Sequence, residues 1–160
     1  MGKLNSSLYS SKDMTWETPI DLFQKLDLAY SFDVDVCALP NTAKCEKYYT
    51  PVDNGLAQEW KGTCWMNPPY GREQKQWISK ASESNCTTVC LIPARPDTKV
   101  WQDIIFPNAT AICFIRGRLK FGGSKDSAPF PSALVVFGEK PNDEQLECFK
   151  SLGTLIKLIP

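Results

Sequence analysis

The chain has 160 residues, 42% of them hydrophobic, enough for one domain with a real core and too few for a second. Its 18 basic and 18 acidic residues cancel to a formal net charge of zero, so any argument for nucleic acid must be local. No apolar stretch approaches the roughly 18 residues of a membrane span, and the opening "MGKLNSSLYSSKDM" lacks the apolar centre of a signal peptide, so a cytoplasmic location is expected.

In chain order, the Ser-rich residues 1–14 are expected to be mobile and residues 15–160 to form the domain, with no separate target-recognition domain. "ETPIDLFQKLDLAY" predicts a helix: Thr18 suits the N-cap, Pro19 the first helical position, and Leu22, Phe23, Leu26 and Tyr30 share a face. "FDVDVCA" alternates as a strand ending in acidic groups, and "GTCWMN" predicts a second strand that runs into two prolines. A helix over "EQKQWISKASES", a buried strand "TTVCLIP", a short helix "TKVWQDII" and a strand "TAICFIRG" follow. "RLKFG" and "SALVVFG" read as two arms of a hairpin, "EQLECFKSL" as a helix and "GTLIKLI" as a last strand. The alternation predicts an α/β fold.

Seven cysteines without any C-x-x-C pair, mostly in apolar runs, read as reduced, buried thiols. The absence of histidine removes Ser-His-Asp, Cys-His and most zinc designs, so the chemistry must proceed without an imidazole.

"NPPYG", Asn67 to Gly71, carries the strongest chemical signal. The amino group of adenine or of a carboxamide is a poor nucleophile because its lone pair is delocalised. An acceptor pair that takes both N–H hydrogens favours the sp³-like nitrogen of the transition state. Asn67 Oδ1 and the Pro68 carbonyl form such a pair, Pro68 and Pro69 fix the backbone that aims them, and Tyr70 offers a ring for a planar group. The same five residues also suit a turn after an edge strand.

Together with its context, this motif resembles the amino-methyltransferases whose fourth motif is [DNS]-P-P-[YFW], and more closely the phage DNA N6-adenine methyltransferase (Dam) family. The resemblance runs from residue 16 to about 138 through "WETP", "FDVDVCA", "NTAKCEKYYT", "DNGLAQEW", "NPPYG", "W-x-x-KA", "LIPAR", "IRGRLKFG" and "SAPFPSALVVFG". It implies a single-domain, Rossmann-like S-adenosylmethionine-dependent methyltransferase fold, with a mostly parallel central sheet ending in an antiparallel hairpin. By the same resemblance, Thr18 and Pro19 help hold the cofactor. Asp35 leads and Asp33 follows as binders of its amino acid portion, Asn41 with Tyr48 and Tyr49 shapes the nucleoside pocket, and Asp53 accepts its adenine amino group. The sequence departs from the family pattern in one respect: "FDVDVCALPN" contains no G-x-G.

Double-stranded DNA is the expected partner, and no metal is expected. Arg116, Arg118 and Lys120 recur every second residue and, on a strand, would form a phosphate track, although an exposed edge strand carries such charges too. Phe121 matches the position of the aromatic that stacks on an extruded base in similar enzymes, with Phe130 as the reserve. The expected activity is site-specific adenine N6 methylation, with GATC as the context the resemblance suggests and protection of phage DNA from restriction as its purpose. The alternatives are a protein-glutamine N5-methyltransferase, whose carboxamide presents the same two hydrogens, and a non-catalytic DNA-binding protein on the same fold.

Overall fold

The segments "TTVCLIP" and "SALVVF" are buried at consecutive positions, as strands covered on both faces must be. In the computed structural model, which describes residues 16–158 except residue 124, six strands form one sheet in the order β1-β2-β3-β5-β4-β6. They are β1 Val34–Asp35, β2 Thr63–Met66, β3 Thr87–Pro93, β4 Ala111–Ile115, β5 Ser132–Phe137 and β6 Gly153–Lys157. The expected mobile segment 1–14 lies outside the described residues.

Helices cover both faces. α1 (Ile20–Tyr30) and α4 (Asp143–Leu152) lie on one side, α2 (Gln74–Glu83) and α3 on the other, where α3 is a π-helical stretch Trp101–Ile105 running into Phe106–Asn108. Alternate residues of each strand feed the two cores. In β5, Leu134 and Val136 meet Leu26 and Phe149, while Val135 and Phe137 meet Ile78 and Trp101. Each such side chain, fully buried, contributes about 1.5–3 kcal/mol by removal from water.

The sheet is mixed, which corrects the expectation of a mostly parallel one. The pairs β1–β2 and β2–β3 are parallel, whereas β3–β5, β4–β5 and β4–β6 are antiparallel. Parallel pairing needs a long crossover; α2 lies in one of the two, and the other, between β1 and β2, carries only the 3-10 turn Gly55–Ala57.

The hairpin exists, but its first arm is "AICFI", paired from Ala111↔Val136 to Phe114↔Ala133. "RLKFG" belongs to the connection, so Arg116, Arg118 and Lys120 do not share a strand face. The apolar residues between these cations are drawn inward: Phe121 is buried and Leu119 half-buried against the α1 and α4 core. The expected cap is also corrected. Pro19 is the residue before α1, and Thr18 caps nothing. At α4, Asn142 Oδ1 accepts from Gln145 N and Gln145 Oε1 accepts from Asn142 N, a reciprocal pair that fixes where the helix begins.

Candidate active site

The loops that leave the carboxyl ends of β1 and β2 enclose a cavity of about 310 Å³, where open α/β sheets commonly place ligands. Asp35 is the last residue of β1 and Asn67 follows the last residue of β2; both line the cavity. The walls include Trp16, Leu39, Tyr49, Pro51, Trp65 and Trp77. Its charged lining residues are Glu17, Asp35 and Glu73 against Lys44 alone, so the excess is negative.

Without glycines, the turn after β1 is built around Asp35 itself. The carboxylate accepts from Cys37 N (3.3 Å) through Oδ1 and from Lys44 N (3.0 Å) through Oδ2, folding residues 37–44 over it. The free edge of β1 is covered by the segment 47–49: Asp35 N donates to Lys47 O and Tyr49 N to Asp35 O, both at 3.0 Å. Burial raises the Asp35 pKa to about 6, against the two backbone donors and the nearby Lys44 ammonium, which pull it down.

A glycine does approach the β1 end closely, from elsewhere in the chain. A Cβ on Gly55 would run into the Val36 carbonyl and lie 3.0–3.1 Å from the Trp77 ring. Trp60 Nε1 donates to the Gly55 carbonyl at 2.8 Å and fixes the turn. Gly55→Ala is therefore expected to push the 50–56 loop off the sheet and cost about 1–3 kcal/mol, measured as a lower urea midpoint with an unchanged m-value.

Asn67 is held at its amide nitrogen. Nδ2 donates to the Trp16 carbonyl and, at 3.0 Å, to Thr18 Oγ1. Its Oδ1 is buried and has no partner. A buried acceptor left in this state incurs the cost of desolvation, which a ligand donor would remove.

Tyr70 is buried, and its ring meets Phe130 edge to face at 5.3 Å and Phe121 at 6.5 Å. Trp16 joins both phenylalanines at 5.4–5.5 Å. The connection between β4 and β5 is thereby packed onto the "NPPY" segment and tied to the chain before α1, where Gly122 N donates to Glu17 O at 3.0 Å.

A family model described as DNA N-6-adenine-methyltransferase (Dam) matches residues 5–147. The chain belongs to the Dam family. It is similar to a DNA N-6-adenine-methyltransferase of Haemophilus phage HP1, 34% identical over 143 residues that cover 82% of each chain. A second relative, the DNA N-6-adenine-methyltransferase of Escherichia phage T1, is 31% identical over 110 residues, 65% of this chain and 45% of that protein. The putative methyltransferase YfdM of Escherichia coli is 36% identical over 63 residues, 34% of this chain and 69% of that protein. As a Dam family member the chain is a DNA adenine-N6 methyltransferase, and the family implies dependence on S-adenosylmethionine and binding to DNA.

Within this Dam fold the expected site residues separate. Thr18, Asp35, Asn67, Pro69 and Tyr49 line the cavity; Pro68 and Tyr70 are buried and do not line it. Pro19, Asn41 and Tyr48 are not among the lining residues either. Asp33 Oδ2 accepts from Thr63 N at 2.8 Å, at the amino ends of β1 and β2 and so away from the cavity. Asp53 closes a turn, accepting from Thr50 N (2.9 Å) and Thr50 Oγ1 (3.1 Å), and the turn in turn presents Thr50, Pro51 and Asn54 to the cavity. Arg116, Arg118 and Lys120 are exposed.

Sequence reasoning missed Lys44, Gly55, Glu73 and Trp77. Lys44, Gly55 and Trp77 lie inside quoted segments, "NTAKCEKYYT", "DNGLAQEW" and "W-x-x-KA", and Glu73 two residues past the motif glycine, but nothing local marks any of them as facing the cavity. Among the described residues no helix is long and apolar enough to cross a membrane, and no Cys, Asp or Glu cluster is arranged to hold a metal ion.

Proposed function

We propose that this chain methylates N6 of adenine in double-stranded DNA with Asn67 and Pro68 as the acceptors of the amino hydrogens and the cavity as the cofactor site. The observation that carries this reading is the orphaned Asn67 Oδ1, buried in a residue that lines the cavity. S-adenosylmethionine supplies an electrophilic methyl group on a cationic sulfonium. The donor set fits it: an excess of carboxylates suits the cation, and the indoles of Trp65 and Trp77 suit an apolar nucleoside face. Trp65 and Asp35 stand opposite each other in the sheet register, so one wall offers both. On this reading the sheet is the cofactor-binding part of a Rossmann-like methyltransferase fold.

The chain's part in the reaction is to bind and orient. Asn67 Oδ1 takes one amino hydrogen and the Pro68 carbonyl the other, which favours the pyramidal nitrogen of the transition state. The rigid prolines keep both acceptors in place. The nitrogen becomes acidic once alkylated and gives its proton to water, so the lack of histidine costs nothing. Asp35 holds the cationic part of the cofactor. Thr18 shapes the cavity wall and Asp53 fixes the turn that brings Thr50, Pro51 and Asn54 to it, whereas Pro19 and Asn41 lie off the lining and Asp33 ties down Thr63 at the far end of the strands.

The target base must leave the duplex to reach Asn67. Tyr70 is the ring proposed to stack on it, backed by Phe121 and Phe130, and Arg116, Arg118 and Lys120 neutralise phosphates. Replacing all three cations with Gln should lower the slope of log affinity against log salt by about 0.9 for each phosphate no longer neutralised; fluorescence anisotropy over a salt series checks this. Single-molecule sequencing of DNA from a methylation-deficient host expressing the protein tests the whole reading. N6-methyladenine in a short context, GATC first among them, supports it, and unmodified adenine contradicts it. The phage relatives make shielding of phage DNA from restriction the purpose we propose.

A further inference from the structure

We infer that Thr18 is a positioning residue for the Asn67 carboxamide, acting through a latch it forms with the Trp16 carbonyl; the inference rests on the role proposed above for Asn67. A carboxamide can flip, exchanging its oxygen and nitrogen, and only one orientation presents an acceptor to an amine. A backbone carbonyl only accepts, so the Trp16 oxygen dictates that nitrogen faces it. Thr18 Oγ1 takes the second hydrogen at 3.0 Å. With both Nδ2 hydrogens used, Oδ1 is left as the group without a partner.

Thr18 is 3% exposed, and its hydroxyl makes no cap for α1 although it stands next to the helix start. Its position therefore serves the site and not the helix. Trp16 is held in turn by the rings of Phe121 and Phe130, and the intervening Glu17 carbonyl by Gly122 N. The latch thus ties the segment before α1 to the residue after β2, 49 positions apart along the chain.

The test compares Thr18→Val, which keeps the shape and removes the acceptor, with Thr18→Ser, which keeps the acceptor. Methyl transfer to unmethylated duplex DNA is followed at saturating cofactor and DNA, and cofactor Kd is measured by calorimetry. Thr18→Val should lower kcat by about tenfold to a hundredfold, as small misplacements of reacting groups do, with cofactor Kd changed less than about twofold and Thr18→Ser close to wild type. An unchanged kcat in Thr18→Val overturns the inference, as does weaker cofactor binding with kcat intact, which would make Thr18 a cofactor contact only. Asn67→Ala separates the two levels: if it stays active, the reading of Asn67 fails; if it is inactive while Thr18→Val is unimpaired, only the latch fails. Should Thr18→Val not fold, the Asn67 side-chain amide in ¹⁵N-labelled wild type decides. Slowed exchange of both hydrogens supports the latch, and free exchange overturns it.

Discussion

Asn67→Ala is expected to lower kcat for methyl transfer by about 10²–10³-fold, the usual effect of removing one preorganised group that meets charge developing in a transition state. On the proposed assignment of Asn67 Oδ1 to the target amine, cofactor affinity should barely change. The variant also strips the Trp16 carbonyl and Thr18 Oγ1 of their donor, which costs about 1–3 kcal/mol where such groups are buried. A parallel melting curve separates that cost from the catalytic one. Asn67→Asp is the sharper variant. It keeps an oxygen toward the amine and matches the amino-methyltransferase motif, but sets a carboxylate oxygen against the Trp16 carbonyl, which offers no hydrogen. The expectation is a loss of activity close to that of Asn67→Ala, together with a lower melting temperature. An active Asn67→Asp would mean that the amide is not held as described.

The second large effect falls on cofactor binding. Burial lifts the Asp35 pKa from 3.8 to about 6, so the folded state favours the protonated acid. The stability linked to that group is fully present below pH 3.8 and is lost as pH rises through about 6, on the order of 3 kcal/mol in all. Binding runs the other way. A cationic ligand requires the carboxylate and pulls its pKa down, so affinity should be flat above pH 6 and fall toward about tenfold per pH unit below it. Asp35→Asn should remove this pH dependence and weaken binding at neutral pH by at least about 30-fold, as truncating a buried charged partner does. Its amide also offers one oxygen where Cys37 N and Lys44 N need two, so the 37–44 turn loosens. Calorimetry from pH 5 to 8 on both proteins checks the sign and the midpoint. A wild-type affinity independent of pH would remove Asp35 from the cofactor contacts.

Local patterns in the sequence were read correctly where local physics decides. "TTVCLIP" is β3 at both boundaries, because an unbroken apolar run between polar turns has one good solution, and Leu22, Phe23, Leu26 and Tyr30 do share the buried face of α1. The errors arise where distant residues compete for the same group. Thr18 looks like a helix cap, but Asn67 takes its hydroxyl. The alternation in "RLKFG" suits a strand, yet the aromatic cluster of Trp16, Tyr70 and Phe130 captures Phe121, and Gly117 and Gly122 adopt positive φ of 71° and 56°. Asp33 and Asp35 differ by two residues and share a face. Only the position of the strand end tells that the first ties down Thr63 and the second reaches the cavity. Gly55, quoted only within "DNGLAQEW", proves to be the close-approach glycine that "FDVDVCALPN" lacks, and nothing local marks which strand end it will meet.

On the proposed reading, this chain delivers the amino group of an extruded adenine to Asn67 for methylation. The most direct measurement incubates the purified protein with unmethylated duplex DNA and S-adenosylmethionine carrying a labelled methyl group, digests the DNA to nucleosides and identifies the labelled species by mass spectrometry. The expected result is label in N6-methyldeoxyadenosine alone, with the rate of its appearance cut by about 10²–10³-fold in Asn67→Ala. Label in cytosine, label confined to protein, or no transfer at all would contradict it.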